Sequence, residues 1–498
     1  MNTAKRIGFF GGPVVFAAIL LYPVLFALPE GMTTEMFSVI AVIALMAIWW
    51  ITEAIPIPAT ALLPIALFPT LGVMKSAAST TPYANHLIYL FIGGFFLAAA
   101  MEKWNLHKRI ALFTIKMIGT GPERVILGFM VATAFLSMWV SNTATAMMMV
   151  PVGMAVISQV LSVLKDEGVE LNSSKFNFGT ALMLGIAYAA SIGGVGTIIG
   201  TPPNTVLVGV IETQYGQTIG FAQWMAFGVP LTVIFLALTW FLLVKVMLPP
   251  EISSIPGGAE LINREYAKLG PMSKEEKLVL AAFVTVAVAW IVRGFMTTAF
   301  IADTTIAMIC AVSLFIIPSN FSKGEFLLDW QTAVKIPWGV VILFGGGLAL
   351  TAGVASVGLA EWFTAQFTLL NGLALAVVIF LVVTAAIFLT EVTSNTATAT
   401  LLIPAMGAIA VAMGVHPYGL MVAAGVATSY AFMLPVATPP NAVVFGSGQV
   451  TIAQMSKVGV WLNFAGIILI TVFVLLFMQL IWGIDLNTVP DWAMLATN

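Results

Sequence analysis

A six-residue word of small and polar residues occurs twice in this chain. SNTATA stands at 141–146 and again at 394–399, an offset of 253 residues (394 − 141 = 253). A second word, TPPN, stands at 201–204 and again at 438–441, an offset of 237 residues (438 − 201 = 237). Two words that recur in the same order predict a chain built from two related halves.

Apolar runs long enough to cross a lipid bilayer follow one another along the sequence. About 20 apolar residues are needed for a helix to span the hydrocarbon, and 60% of the 498 residues are hydrophobic while only 8% are charged. The sequence therefore predicts an all-α, polytopic membrane protein, and its first run is expected to be a retained helix rather than a signal peptide. The clearer runs are 7–28, 36–52, 86–101, 176–199, 222–248, 278–292, 304–318, 374–390 and 459–482.

Lysine and arginine are unevenly distributed around the two SNTATA words. The segments 102–124 and 165–175, which flank the first word, carry Lys and Arg, whereas 357–373 and 413–418, which flank the second, carry none. Because cytoplasmic loops are enriched in these residues, the first word is approached from the cytoplasm and the second from outside. The same rule predicts a cytoplasmic N-terminus and an external C-terminus, in a cell (inner or plasma) membrane.

The number of crossings between the two words indicates how the halves are oriented. Five are expected, and an odd number inverts the second half relative to the first, a recurring plan in transporters. The expected division is a first half, 1–248, with an inner-side hairpin around 124–164, then a cytoplasmic linker, 249–277, and a second half, 278–498, with an outer-side hairpin around 374–413. The five crossings are 176–211, 222–248, 278–297, 304–318 and 338–356.

The SNT part of each word is suited to a break between two half-helices. Ser, Asn and Thr favour helix starts over helix interiors, and irregular backbone at membrane depth occurs only where it is buried or lines a cavity. A half-helix beginning near Thr143 or Thr396 would direct its N–H groups and dipole toward an anion. The side chains of Asn142 and Asn395 add donors, and freed carbonyls with Ser and Asn oxygens suit a monovalent cation.

The TPPN words extend this argument. Two successive prolines remove backbone donors and interrupt a helix, which frees the carbonyls of Gly200 and Ala437. Thr201 and Thr438 offer hydroxyls at the same level. The two halves together therefore predict two matched anion-facing tips and two cation sites.

Two carboxylates and one amphipathic segment complete the candidates. Glu53 and Glu391 lie in apolar surroundings, where a carboxylate either relays protons or caps backbone donors. The segment 102–124 is too polar to span and is expected to lie along the inner interface, with Trp104 and Leu106 in lipid. No metal-ligand cluster, nucleophile motif or phosphate loop stands in the sequence, which disfavours an enzyme, and nothing in it predicts nucleic-acid binding.

With WITEAIP at 50–56 added, these words are similar to those of the divalent anion/sodium symporter family, the INDY type, over about 36–482. The resemblance implies a homodimer of protomers with eleven transmembrane helices and two re-entrant hairpins. Each protomer would have a scaffold domain and a transport domain that moves as an elevator within the lipid. Members carry dicarboxylates, tricarboxylates or sulfate, mostly with sodium.

The same resemblance assigns roles residue by residue. One sodium ion would be held by Ser137, Ser141 and Asn142 with the carbonyl of Gly200. A second would be held by Thr390, Ser394 and Asn395 with the carbonyl of Ala437. The substrate would be bound by Ser141, Asn142, Thr143, Thr201, Pro202, Ser394, Asn395, Thr396, Thr438 and Pro439.

These residues predict sodium-coupled uptake of a C4-dicarboxylate such as succinate, malate or fumarate. No Lys or Arg stands at the tips, so that co-transported Na⁺ must supply the charge that neutralises a dianion, and no organic cofactor is needed. Alternatives within the family are a dicarboxylate exchanger and a sulfate or tricarboxylate transporter. An anion channel is the alternative from another class, and interrupted, inverted halves argue against it.

Overall fold

The computed structural model describes residues 3–119, 121–166, 176–252, 254–255, 258–296, 301–359, 362 and 373–495. Within these ranges the chain is mostly helical with very little strand, which confirms the predicted all-α class. The strands described are β1 (Pro318–Asn320) and β2 (Glu325–Phe326), which pair antiparallel around a short 3₁₀ turn, Phe321–Lys323. By length and composition, eight of the described helices can cross a membrane. The expected total of eleven crossings, and the re-entrant course of the hairpins, stay predictions.

The helices of the first half are interrupted at the two repeated words. A 3₁₀ turn at Thr81–Ala84 leads into the sixth helix, and a π-helical stretch at Leu242–Met247 extends the twelfth. The helices are α1 (Thr3–Leu25), α2 (Thr34–Thr52), α3 (Ile57–Thr60), α4 (Leu63–Thr70), α5 (Ser76–Thr80), α6 (His86–Lys103), α7 (Leu106–Ile118), α8 (Pro122–Ser137), α9 (Asn142–Asp166), α10 (Asn177–Gly194), α11 (Pro202–Tyr215) and α12 (Phe221–Phe241).

The second half repeats this order of elements after a short linker helix. The helices are α13 (Gly258–Lys268), α14 (Lys274–Arg293), α15 (Asp303–Ile316), α16 (Trp330–Ala333), α17 (Trp338–Ser356), α18 (Leu375–Thr390), α19 (Asn395–Ala412), α20 (Pro417–Ala427), α21 (Pro439–Gly446), α22 (Ile452–Trp482) and α23 (Asp491–Leu495). Thus α8 and α9 flank the first SNT, as α18 and α19 flank the second. In the same way α10 and α11 flank the first TPPN, as α20 and α21 flank the second.

Helices α10 and α20 form the centre of the protein. Every residue from Phe178 to Gly194 is buried, and so is every residue of α20. Helix α10 packs against α8, α9 and α12, and α20 packs against α18, α19 and α22. The broken helices therefore surround two fully buried ones, which hold the breaks at fixed positions.

The segment after α6 differs from the expected interfacial helix. Leu106, predicted to lie in lipid, is 1% exposed, and the indole nitrogen of Trp104 donates to the carbonyl of Leu327 at 2.7 Å. Helix α7 instead packs on α8 and α13, and it exposes Phe113 and Met117. The prediction for Leu106 was wrong because an amphipathic pattern shows that a helix has two faces and does not show which partner covers each face. Trp104 is half-buried, and its contact with lipid stays a prediction.

A buried ion pair joins α7 to the start of α14. Arg109 donates to the Glu276 carboxylate through Nε at 2.8 Å and through Nη2 at 3.0 Å. Its guanidinium also donates to the carbonyls of Leu269 and Gly270. The linker between the halves is thereby tied to the segment that precedes the first hairpin.

Close helix contact at Gly193 gives a stability prediction. A methyl group added there would lie 2.3 Å from the carbonyl oxygen of Ala134 on α8. We expect Gly193→Ala to destabilise the protein by about 1–3 kcal/mol, the usual cost of overpacking. Gly446→Ala is the control, since a methyl group at Gly446 meets nothing within 4 Å. Thermal unfolding in detergent measures both variants, and equal unfolding temperatures would contradict the prediction.

Candidate anion and cation site

Each SNT word forms the start of a helix. Helix α8 ends at Ser137 and α9 begins at Asn142, while α18 ends at Thr390 and α19 begins at Asn395. The Ser141 hydroxyl accepts from the N–H of Ala144 at 3.2 Å, and the Ser394 hydroxyl accepts from the N–H of Ala397 at 3.5 Å. Serine is a good N-cap, so the helices start one residue earlier than the predicted Thr143 and Thr396.

Each TPPN word also forms a helix start. Prolines 202 and 203 open α11, and prolines 439 and 440 open α21. Proline is favoured in the first turn because its missing N–H has no intrahelical partner there. The Thr438 hydroxyl accepts from the N–H of Asn441 at 3.3 Å. Both proline breaks are therefore where the sequence predicts them.

The asparagines that end the TPPN words hold the preceding turns. Asn204 Nδ2 donates to the carbonyl oxygens of Gly194, Val195 and Thr197, at 3.2, 3.2 and 2.7 Å. Asn441 Nδ2 makes the corresponding bonds to Ala431 and Leu434, at 3.1 and 3.0 Å. Neither asparagine was predicted from the sequence to have a role. The signal was present, because both recur within the repeated word.

All four helix starts border a single cavity of about 1360 Å³. Of the residues predicted for the site, Ser137 and Thr390 lie behind its wall, each bonded to the asparagine that opens the next helix. The remainder line the cavity: Ser141, Asn142, Thr143, Gly200, Thr201, Pro202, Ser394, Asn395, Thr396, Ala437, Thr438 and Pro439. The structure thus brings the predicted residues of both halves to one place.

Charged side chains also line this cavity. Lys5, Glu53, Glu102, Lys103 and Lys335 belong to its lining. Lys5 pairs with Glu53 at 3.3 Å, and Lys103 pairs with Asp329 at 2.7 Å. The hydrogen bond from Lys103 lowers the pKa of Asp329 to about 2, so this carboxylate stays charged at neutral pH. The lining of the cavity therefore combines charged side chains with the four helix starts.

In the first half, four oxygens converge behind the cavity wall. Asn142 Oδ1 lies 2.5 Å from Ser137 Oγ and 3.2 Å from each of the carbonyl oxygens of Ala190 and Gly200. The Ser137 hydroxyl also donates to the Ala190 carbonyl at 2.7 Å. An amide oxygen among acceptors is unfavourable, and rotating the Asn142 amide by 180° relieves this, because the nitrogen then donates to Ser137 Oγ and to the carbonyls of Ala190 and Gly200. This arrangement has the neutral oxygen ligands that a hard monovalent cation takes.

The second half repeats part of this arrangement. Thr390 Oγ1 lies 2.7 Å from Asn395 Oδ1 and 3.1 Å from the carbonyl oxygen of Thr428, and its one proton can be donated to either. Ala437 lines the same cavity, as Gly200 does in the first half. Thr390 therefore takes the part of Ser137, and both hydroxyls approach an asparagine amide and a carbonyl from the neighbouring buried helix.

The two carboxylates singled out from the sequence differ in their surroundings. Glu391 is 3% exposed, and its oxygens accept from the N–H groups of Phe432, Met433 and Leu434 at 2.7–3.2 Å and from Asn463 Nδ2 at 2.7 Å. It caps backbone donors, one of the two predicted readings. Glu53 is an exposed residue with φ 46°, at the end of α2.

No group of three or more His, Cys, Asp or Glu side chains that could hold a metal ion occurs in the described ranges. The cation ligands offered by this structure are thus hydroxyls, amides and carbonyls. Neutral ligands of this kind bind Na⁺ more readily than they bind protons, because none of them titrates near neutral pH.

Comparison with solved structures supports a transporter fold. The chain is 12% identical to the Alcanivorax borkumensis YdaH transporter, with a TM-score of 0.57 over 88% of this chain and 98% of that one. It is also 12% identical to Neisseria gonorrhoeae MtrF, described as one of a class of antimetabolite efflux pumps, with a TM-score of 0.54 over 93% of this chain and 98% of that one. At this identity the likeness concerns the fold alone.

Comparison of sequences identifies the family. The chain is 44% identical over 492 residues to the sodium-dependent dicarboxylate transporter SdcS of Staphylococcus saprophyticus, covering 98% of this chain and 94% of that protein. The same protein from Staphylococcus aureus strain MRSA252 gives the same identity and coverage. These relatives are transporters and not enzymes. The family model described as the sodium:sulfate symporter transmembrane region matches residues 11–484. This multi-pass membrane protein therefore belongs to the sodium:sulfate symporter family.

Proposed function

We propose that this protein couples the entry of Na⁺ to the uptake of a C4-dicarboxylate such as succinate, malate or fumarate. The observation that carries the proposal is the meeting of four helix starts at one cavity, with a matched pair of oxygen clusters behind its wall. The 44% identity to transporters named for sodium and dicarboxylate supports this choice of ion and substrate.

The electrostatics of the cavity suit a dianion. A helix N-terminus carries about half an elementary positive charge, so that four of them provide about two. Helices α11 and α21 begin with two prolines each and supply dipole but few N–H groups. Direct donors come from the starts of α9 and α19, with the amides of Asn142 and Asn395. Two donor groups in inverted halves match a small molecule with a carboxylate at each end.

Coupling to sodium follows from the side chains that the two functions share. Asn142 belongs both to the cavity lining and to the oxygen cluster of Ser137 and Gly200. In this proposal a bound Na⁺ fixes its amide with the oxygen toward the ion and the nitrogen toward the substrate. Without the ion, a rotated amide would donate to Ser137 Oγ and to the Ala190 and Gly200 carbonyls. Without Na⁺, the amide nitrogen of Asn142 is therefore bonded to these oxygens and is not available to the anion.

The cavity also supports an orientation for the protein. Its lining on α6 runs from Phe91 to Lys103 and excludes the His86 end, whereas on α17 it includes only Val340, near the start of the helix. The cavity thus borders the C-terminal end of α6 but the N-terminal end of α17, although the two helices hold corresponding places in the two halves. This difference supports inverted halves, 1–248 and 278–498, joined by 249–277. With the lysine-rich side in the cytoplasm, the N-terminus is inside, the C-terminus is outside, and the cavity is open inward. The homodimer and the elevator movement rest on the family resemblance.

Uptake into proteoliposomes tests the function. We expect purified protein to accumulate radiolabelled succinate when Na⁺ is imposed outside, and to lose this accumulation when K⁺ replaces Na⁺. Unlabelled malate should compete, and citrate and sulfate should compete less. Uptake that ignores sodium but requires internal dicarboxylate would show an exchanger instead. Preferential competition by sulfate would refute the dicarboxylate assignment and leave the ion coupling in place.

A further inference from the structure

The two halves differ in the bond that ties each SNT break to its neighbouring turn. In the first half the Thr197 hydroxyl donates to the carbonyl oxygen of Met138 at 2.5 Å, a bond between neutral groups. At the corresponding positions of the second half stand Leu434 (434 − 197 = 237) and Glu391 (391 − 138 = 253), and the Glu391 carboxylate accepts from the N–H of Leu434 at 3.2 Å. The hydrogen bond that joins the SNT break to the neighbouring turn is therefore made by two neutral groups in the first half and by a carboxylate in the second.

A buried charge is a costly way to make such a tie. Removing a carboxylate from water costs several kcal/mol unless other groups compensate, and charges within membrane segments are rare. Glu391 is 3% exposed. In the first half the corresponding turn is held without a charge, by the Thr197 hydroxyl and by Asn204 Nδ2. The charge of Glu391 is therefore expected to act on something beyond the turn.

The position of Glu391 indicates what that is. It directly follows Thr390, a proposed cation ligand, and its carboxylate holds the segment 432–434, which leads to Ala437. The carbonyl of Leu434 accepts from the N–H of Ala437 at 3.2 Å. Glu391 thus links the two segments that carry the proposed second cation site, through the chain to Thr390 and through hydrogen bonds to the turn before Ala437.

We propose that Glu391 is a positioning residue that makes the second cation site the tighter of the two. This inference rests on the proposed sodium coupling. Its carboxylate fixes the turn that presents the Ala437 carbonyl, and its negative charge attracts the cation through a poorly screened, buried environment. The first site has the neutral Thr197–Met138 tie in its place. Sodium therefore fills the second site first, and the two halves are unequal despite their matched words.

Sodium titrations of the wild type, Glu391→Gln and Thr197→Val test the proposal. Binding is followed without substrate by the rise in unfolding temperature with sodium concentration, and transport is followed by sodium activation of succinate uptake. We expect Glu391→Gln to need roughly tenfold more sodium in both assays, while succinate half-saturation at saturating sodium changes by less than about twofold. Thr197→Val, which removes only the neutral tie, should change the sodium requirement by less than about threefold.

The outcomes separate this proposal from the one on which it rests. If the wild type depends on sodium and Glu391→Gln leaves that dependence unchanged, the inference about Glu391 fails while the proposed sodium coupling stands. If Thr197→Val raises the sodium requirement as much as Glu391→Gln does, the inference also fails, because the charge of Glu391 would then have no effect of its own. A wild type that responds to no sodium refutes the proposed coupling itself.

A second measurement applies if Glu391→Gln does not fold. Asn142→Ala impairs the first site and Asn395→Ala the second, with Glu391 intact in both. We expect stabilisation at low sodium concentration to survive in Asn142→Ala and to disappear in Asn395→Ala. Equal loss in both variants, or the opposite order, overturns the inference.

Discussion

Asn142→Ala is expected to reduce sodium-driven dicarboxylate uptake, measured as kcat/KM, by at least about 100-fold. Contacts to charged groups contribute about 1.5–3 kcal/mol each, and in the proposed site this side chain contacts both the cation and the anion. Losing both contacts amounts to about 3 kcal/mol or more, and 1.4 kcal/mol is about tenfold. Asn395→Ala should have an effect of similar size, since its amide lies against the Thr390 hydroxyl as that of Asn142 lies against the Ser137 hydroxyl.

Initial rates of succinate uptake into proteoliposomes measure this effect. Asn487→Ala is the matched control, because Asn487 is an exposed loop residue whose side chain bonds only locally, to Asp485. It should transport at the wild-type rate. Size-exclusion chromatography shows whether each variant is folded and monodisperse. A folded Asn142→Ala protein that keeps uptake within about threefold of the wild type would contradict the site assignment, because even one lost charged contact should exceed that change.

Arg109→Met is expected to destabilise the protein by about 3–5 kcal/mol, the cost of leaving the partner of a buried ion pair uncompensated. Arg109 is 8% exposed and Glu276 is 5% exposed. Glu276 would retain only its local role, in which it accepts from the N–H of Ser273 at 2.8 Å. The variant also loses both bonds from the guanidinium to the linker carbonyls. Thermal unfolding in detergent, together with the yield of folded protein, measures the loss.

A second pair in the same linker provides the control. Lys268 pairs with Glu265 one helical turn away on the exposed face of α13. Lys268→Met should change stability by no more than about 0.5 kcal/mol, because solvent screens such pairs. Equal unfolding temperatures for Arg109→Met and the wild type would show that the buried pair does not hold the linker.

The sequence predicted the helix breaks well because the chemistry there is local. A Ser that precedes Asn and Thr caps the helix it begins, and two prolines open a helix wherever they stand in its first turn. Both effects operate within about four residues, so that the starts of α9, α11, α19 and α21 could be read from the repeated words. The one-residue difference at Asn142 and Asn395 is within the usual uncertainty of helix ends.

Contacts between distant segments could not be read in the same way. The Ser137 hydroxyl reaches the carbonyl of Ala190, 53 residues away, and Arg109 pairs with Glu276, 167 residues away. Nothing in the local pattern around Leu106 indicated that it is covered by protein rather than lipid. Glu391 allowed two readings from the sequence, and the choice depended on the N–H groups of a turn that packing brings to it.

The lysines in the lining of the cavity have a consequence for pharmacology. A blocking compound that draws its affinity from Lys103, Lys335 and the helix starts would engage the protein from the side on which those lysines lie. In the orientation proposed above, with that side in the cytoplasm, an anionic blocker of this kind would act on inside-out vesicles at concentrations that leave intact cells unaffected. The concentration that blocks uptake by whole cells would then depend on how readily the compound crosses the membrane rather than on its affinity for the carrier.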